Sequence, residues 1–380
     1  MSWKRHKLGE LISVKHGWAF KSQHFEDEGR YVVLTPGNFF EEGGFKHRPG
    51  KDRSYSGSFA SEYLLSEGDL IVAMTEQGPG LLGSAAIIPD SGRFLHNQRI
   101  GLVSVKDESR ACLKYLYYLF NTAAVRGQLS GSATGTKVRH TAPERICRVE
   151  ALVPDFPTQK RIAGILSAYD DLIENNRRRI RLLEQAARLL YREWFVHLRF
   201  PGHETTKITD GLPEGWEKTT VGEHCPLIYG KALKAETRVD GPFDVYGSSG
   251  IVGTHNKALT TGPAIIVGRK GNVGSIYWAR RGSWPIDTVY FVDPANSDFF
   301  TFFALQNIAF QNTDVAVPGL NRDYAHTREI KLPPKELIHS FNDLATVFLR
   351  DAELLASQND ALTRARDLLL PRLMDGRIPV

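Results

Sequence analysis

Between Pro157 and Phe200 the sequence PTQKRIAGILSAYDDLIENNRRRIRLLEQAARLLYREWFVHLRF carries apolar residues at alternating steps of four and three. The rungs are Ile162, Leu166, Tyr169, Ile173, a polar Asn176, Ile180, Leu183, Ala187, Leu190 and Trp194. Such a stripe belongs to a helix that buries one seam against another long helix. A second stretch, Pro334 to Leu373, has the same period. Its rungs are Phe341, Ala345, Phe348, Ala352, Leu355, Asn359, Leu362, Arg366, Leu369 and Leu373.

Setting the two ladders antiparallel with Asn176 opposite Asn359 brings every rung opposite a rung. Trp194 then meets Phe341, Ala187 meets Phe348, Leu183 meets Ala352 and Ile173 meets Leu362. Large faces small at several layers, as close packing requires. An Asn pair stabilises little but disfavours slipped registers. In this register Tyr169 faces Arg366, whose guanidinium is expected to stack on the ring, and Pro371 is expected to kink or end the second helix.

The segments outside these helices read as β-rich. Short apolar runs such as YVVL (Tyr31 to Leu34), DLIVAM (Asp69 to Met74) and AAII (Ala85 to Ile88) are broken by Gly, Pro, Asn and Asp, and a helical run spans Cys112 to Leu129. A polar Gly-containing loop and a strand ending at Pro154 follow. After Phe200 the same order returns. PAIIVGRKGNVGSIYWA reads as strand, turn, strand; DTVYFV as a strand; FFTFFALQNIAF as a helix; and VAVPGLNRDYAHTREIKLPP leads into the second long helix. The chain is therefore an internal duplication. Leu8-Gly9-Glu10 matches Val221-Gly222-Glu223, Gly83-Ser84 matches Gly274-Ser275, and Gly135-Thr136-Lys137 falls where Gly319-Leu320-Asn321 falls. The fold class is α+β, with segments 1–153, 154–200, 201–333 and 334–380.

Little here points to catalysis. There is no Gly-Lys-Ser/Thr phosphate loop, no Asn/Asp-Pro-Pro-aromatic tetrapeptide and no His-Glu-x-x-His. GRKGNVGS (Gly268 to Ser275) lacks the Gly-x-Gly-x-x-Gly spacing and reads as a β-turn. Cys112, Cys147 and Cys225 are far apart and fit buried thiols in a reducing cytoplasm. No run approaches the ~18 apolar residues of a membrane span, so a cytoplasmic location is expected. The net charge of +5 leans mildly toward polyanions.

The polar loops suit DNA reading. The first repeat offers Glu76 and Gln77, then Lys137, Arg139 and His140. The second offers Arg269, Lys270 and Asn272, then Asn321 and Arg322. Arg and Lys pair with guanine edges or phosphates, Gln and Asn with adenine edges, and nearby glycines let the backbone approach.

The stretch QKRIAGILSAYDDLIENNRRRIRLLEQAARLLYREWF (Gln159 to Phe195) closely resembles the central region of type I restriction-modification specificity subunits. LPEGWEKTTVGE, YGSSGIVG, GRKGNVGSIYW, WPIDTVYFV and LNRDYAHTREIKLPP carry the same likeness. KELIHSF, at the start of the second long helix, departs from the Gln-Lys form found after Pro157. The resemblance implies two target-recognition domains (1–153 and 201–333), each reading half of a bipartite site in double-stranded DNA. The antiparallel coiled coil would separate them, its helix rising on the order of 48 Å between Ile162 and Trp194 at about 1.5 Å per residue. It also implies a non-catalytic chain whose partners are two methylation subunits and, in some assemblies, restriction subunits. S-adenosylmethionine, ATP and Mg are then expected on those partners, with no cofactor, metal or membrane contact in this chain. The rival readings are a stand-alone DNA methyltransferase or nuclease, and an assembly scaffold that reads no sequence.

Overall fold

A computed structural model describes residues 3–48, 50–78, 80–311 and 319–380. The chain divides into two compact units, 1–175 with 358–380, and 176–357. Each unit thus combines one β-rich segment with a part of each long helix.

The first unit is built on a four-stranded antiparallel sheet in the order Ile12–His16, Ile100–Val105, Leu70–Ala73, Ala85–Ile87. The second has the same sheet in the same order, from Leu227–Tyr229, Val289–Val292, Ala264–Gly268 and Ile276–Ala279. A two-stranded ribbon closes each unit, Lys4–Lys7 with Glu150–Val153 and Glu217–Thr220 with Glu329–Leu332. The equivalence extends to single bonds. Leu8 N–H donates to Val149 O at 2.8 Å, and Val221 N–H to Arg328 O at 2.9 Å. The next residue is glycine in both, because a Cβ would stand 2.9 Å from Cys147 Cβ at Gly9 and 3.0 Å from His326 Cβ at Gly222. Gly83 and Gly274 each donate to the end of a central strand, at Ala73 O and Gly268 O, both at 2.9 Å.

What differs is the outer layer. The first unit adds a four-stranded sheet of two-residue strands: Phe25–Glu26, Ser54–Tyr55, Val32–Val33 and Phe94–Leu95. The second adds the hairpin Phe243–Gly247 and Gly250–His255 with Ser283–Pro285 alongside. Strands of two residues leave almost no periodicity in the sequence.

The first long helix runs Phe156–Tyr191 and passes into a π-turn at Arg192–Val196. It stops at Leu198, whose φ is +59°, ahead of Pro201 and Gly202, which could not continue it. The second runs Lys335–Met374. Pro371 does not end it. Three residues follow within the helix, because a proline in the last turn removes a single ladder bond and the Asp367 carbonyl it orphans belongs to an exposed residue.

The seam is antiparallel in each unit. In the second, Trp194 stacks edge-on against Phe341 with centroids 6.1 Å apart, the expected rung pair, inside a core shared with Ala187, Tyr191, Phe195 and Ala345. In the first, Ile162, Leu166 and Leu373 are buried in one core. Asn359 donates from Nδ2 to the Ile173 carbonyl at 3.2 Å, tying the second helix to the main chain of the first. Asn176 is buried, only 1% exposed. The stacking expected between Tyr169 and Arg366 is replaced by an ion pair. Arg366 reaches Asp170 at 2.7 Å, since a half-buried guanidinium gains more from a carboxylate than from a ring face.

In both units an amide on a long helix, buried at Gln159 and partly buried at Asn342, holds the start of the short helix of the β-rich segment. Gln159 Oε1 accepts from Cys112 N at 2.9 Å, just ahead of Leu113–Phe120. Asn342 Oδ1 accepts from Phe300 N at 2.9 Å in Phe299–Asn307. The departure of KELIHSF from the Gln-Lys form is thus offset by an amide further along the helix.

Candidate nucleic-acid interface

In the first unit Arg139 and His140 form a short strand paired with Thr75–Glu76. Arg139 donates to Glu76 Oε1 at 3.1 Å and also to the Ser130 carbonyl. Glu76 is 3% exposed, and its second oxygen accepts from the N–H groups of Leu81 and Leu82 at 2.9 and 2.8 Å. Arg139 is therefore committed to neutralising a buried carboxylate that shapes the loop. His140 shares a hydrogen bond with Thr75 Oγ1 at 3.1 Å, while Gln77 and Lys137 are exposed. Gln77 and His140 line an open groove with Lys46, Arg48 and Arg99. Sequence reasoning missed these three cations, although Lys46-His47-Arg48 is a basic cluster one residue after Gly43-Gly44.

In the second unit two of the five candidates meet around one ring. The guanidinium carbons of Arg269 and Arg322 each lie 5.0 Å from the centroid of Tyr229. Arg269 also donates to Asp287 O at 3.0 Å and lies 5.8 Å from the Tyr290 ring. Burial pushes the Tyr290 phenol up to about 12, so it stays protonated and donates to Leu320 O at 2.8 Å. Lys270 is exposed and pairs through its backbone with Gly319. Asn321 caps the helix Arg322–His326, its Oδ1 accepting from Tyr324 N at 3.0 Å. Asn272 is exposed on the turn of the Ala264–Gly268 and Ile276–Ala279 hairpin, a β-turn as expected for GRKGNVGS. Tyr229 itself, 46% exposed, was not among the candidates, because LIY reads as an ordinary strand.

The loop matching needs correction. Thr141 N–H donates to Met74 O at 2.9 Å, and Leu320 N–H donates to Arg269 O at 2.8 Å. Gly319 therefore corresponds to His140, not to Gly135, and the first loop carries extra residues ahead of that point. Among the described residues no group of three His, Cys, Asp or Glu could hold a metal, and no helix is long and apolar enough to cross a membrane.

Residues 1–185 match the family model of the type I restriction modification DNA specificity domain. Over residues 1–185 the chain is thus similar to the type I restriction-modification specificity subunits. It is 25% identical over 301 residues to the MjaIX specificity subunit of Methanocaldococcus jannaschii, covering 70% of this chain and 69% of that one. It is 23% identical over 313 residues to the HindI specificity subunit of Haemophilus influenzae, covering 60% and 68%. The crystal structure of a type I S subunit from M. genitalium has the same fold, with a TM-score of 0.64 at 18% identity over 98% of this chain and 96% of that one. Both curated relatives are named as specificity subunits.

Proposed function

We propose that this chain is the DNA-reading, non-catalytic subunit of a type I restriction-modification complex, with each unit reading one half of a bipartite site. The duplicated framework carries this reading. Two sheets of one topology present different polar side chains from matching loops: Gln77, Lys137 and His140 in the first, and Arg269, Lys270, Asn272 and Arg322 in the second. Arg139 and Asn321 serve by shaping those loops.

The long helices set the unread spacer and dock two methylation subunits. Each helix keeps a second apolar stripe outside the seam at heptad spacing, which supports the docking role. Leu182, Leu189 and Val196 are 56%, 47% and 48% exposed, and Val347 and Leu354 are 58% and 56% exposed. Residues of that kind in register invite another helix. S-adenosylmethionine, ATP and Mg act on the partner subunits, a restriction subunit joins where DNA is cleaved, and the complex works in the cytoplasm.

Genome-wide mapping of adenine methylation with and without the gene tests this. The expected result is one split motif whose methylation disappears with the gene; unchanged methylation would contradict it. Methylation or cleavage by the purified chain alone, given DNA, Mg²⁺ and S-adenosylmethionine, would instead make it an enzyme.

A further inference from the structure

The duplicated framework allows the two reading surfaces to be compared position by position. Trp18 N–H donates to His96 O at 2.9 Å, and Lys231 N–H to Pro285 O at 2.9 Å. The glycine before each is forced, since an added Cβ would stand 2.2 Å from Asn97 O at Gly17 and 2.0 Å from Ile286 O at Gly230. His16 and Tyr229 therefore occupy one position. Their cross-strand partners are Gly101 and Tyr290. Met74 N–H donates to Arg99 O at 3.0 Å, and Arg269 N–H to Thr288 O at 3.0 Å. Together with the bonds from Thr141 and Leu320, this matches Met74 with Arg269, and two residues further on it matches Pro143 with Arg322.

The Tyr229, Arg269 and Arg322 cluster is thus replaced in the first unit by His16, Met74 and Pro143, on the same backbone. The change introduces two guanidiniums against one exposed ring. Two like charges brought this close gain little from the fold. Asp323 stands 3.8 Å from Arg322 and is highly exposed, and Arg322 Nε makes no hydrogen bond to any of the described residues. Each cation–π contact restricts its long side chain; Arg269 uses one Nη1 N–H on Asp287 O and keeps its other donors, while the Arg322 fork donates to none of the described residues. A fork so held matches the O6 and N7 acceptors of guanine.

We propose that Tyr229 braces Arg269 and Arg322 as readers of guanine, so that the half-site of the second unit carries guanine while the first unit reads its half-site with different side chains. This rests on the DNA-reading function proposed above.

The test is selection from a randomised duplex library by the full chain assembled with its methylation subunits, comparing wild type, Arg322→Gln and the double variant Arg269→Gln/Arg322→Gln. Arg322→Gln leaves the fold in place, because helix capping rests on Asn321. The wild type is expected to select guanine in one half-site. Arg322→Gln should lose about tenfold of that preference at one position, and the double variant more, with the other half-site unchanged. A half-site without guanine in the wild type, or an intact guanine preference in Arg322→Gln, overturns the inference while the bipartite reading stands. Equal weakening on every sequence assigns the arginines to phosphate and also overturns it. Selection of no motif by the wild type would overturn the DNA-reading function itself.

Discussion

Asp170 on the first long helix pairs with Arg366 on the second at 2.7 Å inside the first unit. The other oxygen of that carboxylate accepts from the Tyr118 hydroxyl at 2.5 Å. Burial, reinforced by the Asp170 charge, pushes the Tyr118 phenol well above its ordinary range, so it remains a donor. One carboxylate thus joins the short helix of the β-rich segment to both long helices. In the second unit aromatic packing of Tyr191, Trp194, Phe300 and Phe341 surrounds the seam instead.

Removing that carboxylate leaves a half-buried guanidinium without its partner. Asp170→Ala is expected to lower stability by about 2–3 kcal/mol. Replacing the pair together, as Asp170→Leu with Arg366→Met, should cost far less. Urea unfolding checks this; a loss below about 0.5 kcal/mol in the single variant would make the pair no stronger than a surface ion pair.

Arg139 and Lys137 are neighbours in sequence with opposite expected effects. Arg139→Ala strands the buried Glu76 carboxylate and should destabilise the first unit by about 3 kcal/mol. Lys137→Ala should leave the melting temperature unchanged and reduce the salt dependence of DNA binding by about one charge. Thermal melting and binding at several salt concentrations separate the two.

How far the sequence could be read follows from cases like these. The long helices were legible because heptad spacing repeats over many turns, and the duplication because glycines such as Gly9 and Gly222 answer the same close approach. Arg139 was not, since a loop arginine reads alike whether it faces DNA or a carboxylate 63 residues away. Nor was Tyr229, because the exposure of a strand's end depends on what the neighbouring loops cover. The two-residue strands of the first unit lie below the length at which alternation is visible.

Acid should weaken the first unit. His96 is fully buried, and its Nε2–H donates to Ile100 O at 2.8 Å. Burial above all pulls its pKa from 6.5 down to about 4. The folded state holds the ring neutral while the unfolded chain binds a proton below about 6.5, so stability is full above that pH and falls toward pH 4. The loss amounts to on the order of 3 kcal/mol. Burial lowers His224 and His326 as well, which adds an acid-sensitive contribution from the second unit. Unfolding measured from pH 7.5 to 4.5 should show this slope, and His96→Gln should flatten it.

In the function proposed above the long helices space two DNA-reading units. Deleting Arg177 to Leu183 together with Ala352 to Gln358 removes one heptad from each helix and keeps the Trp194–Phe341 register in phase. A heptad rises about 10 Å, which corresponds to about three base pairs of duplex. Binding-site selection with this variant, assembled with its methylation subunits, is predicted to return the same two half-sites with a spacer shorter by about three base pairs. The same half-sites at an unchanged spacing would contradict the account.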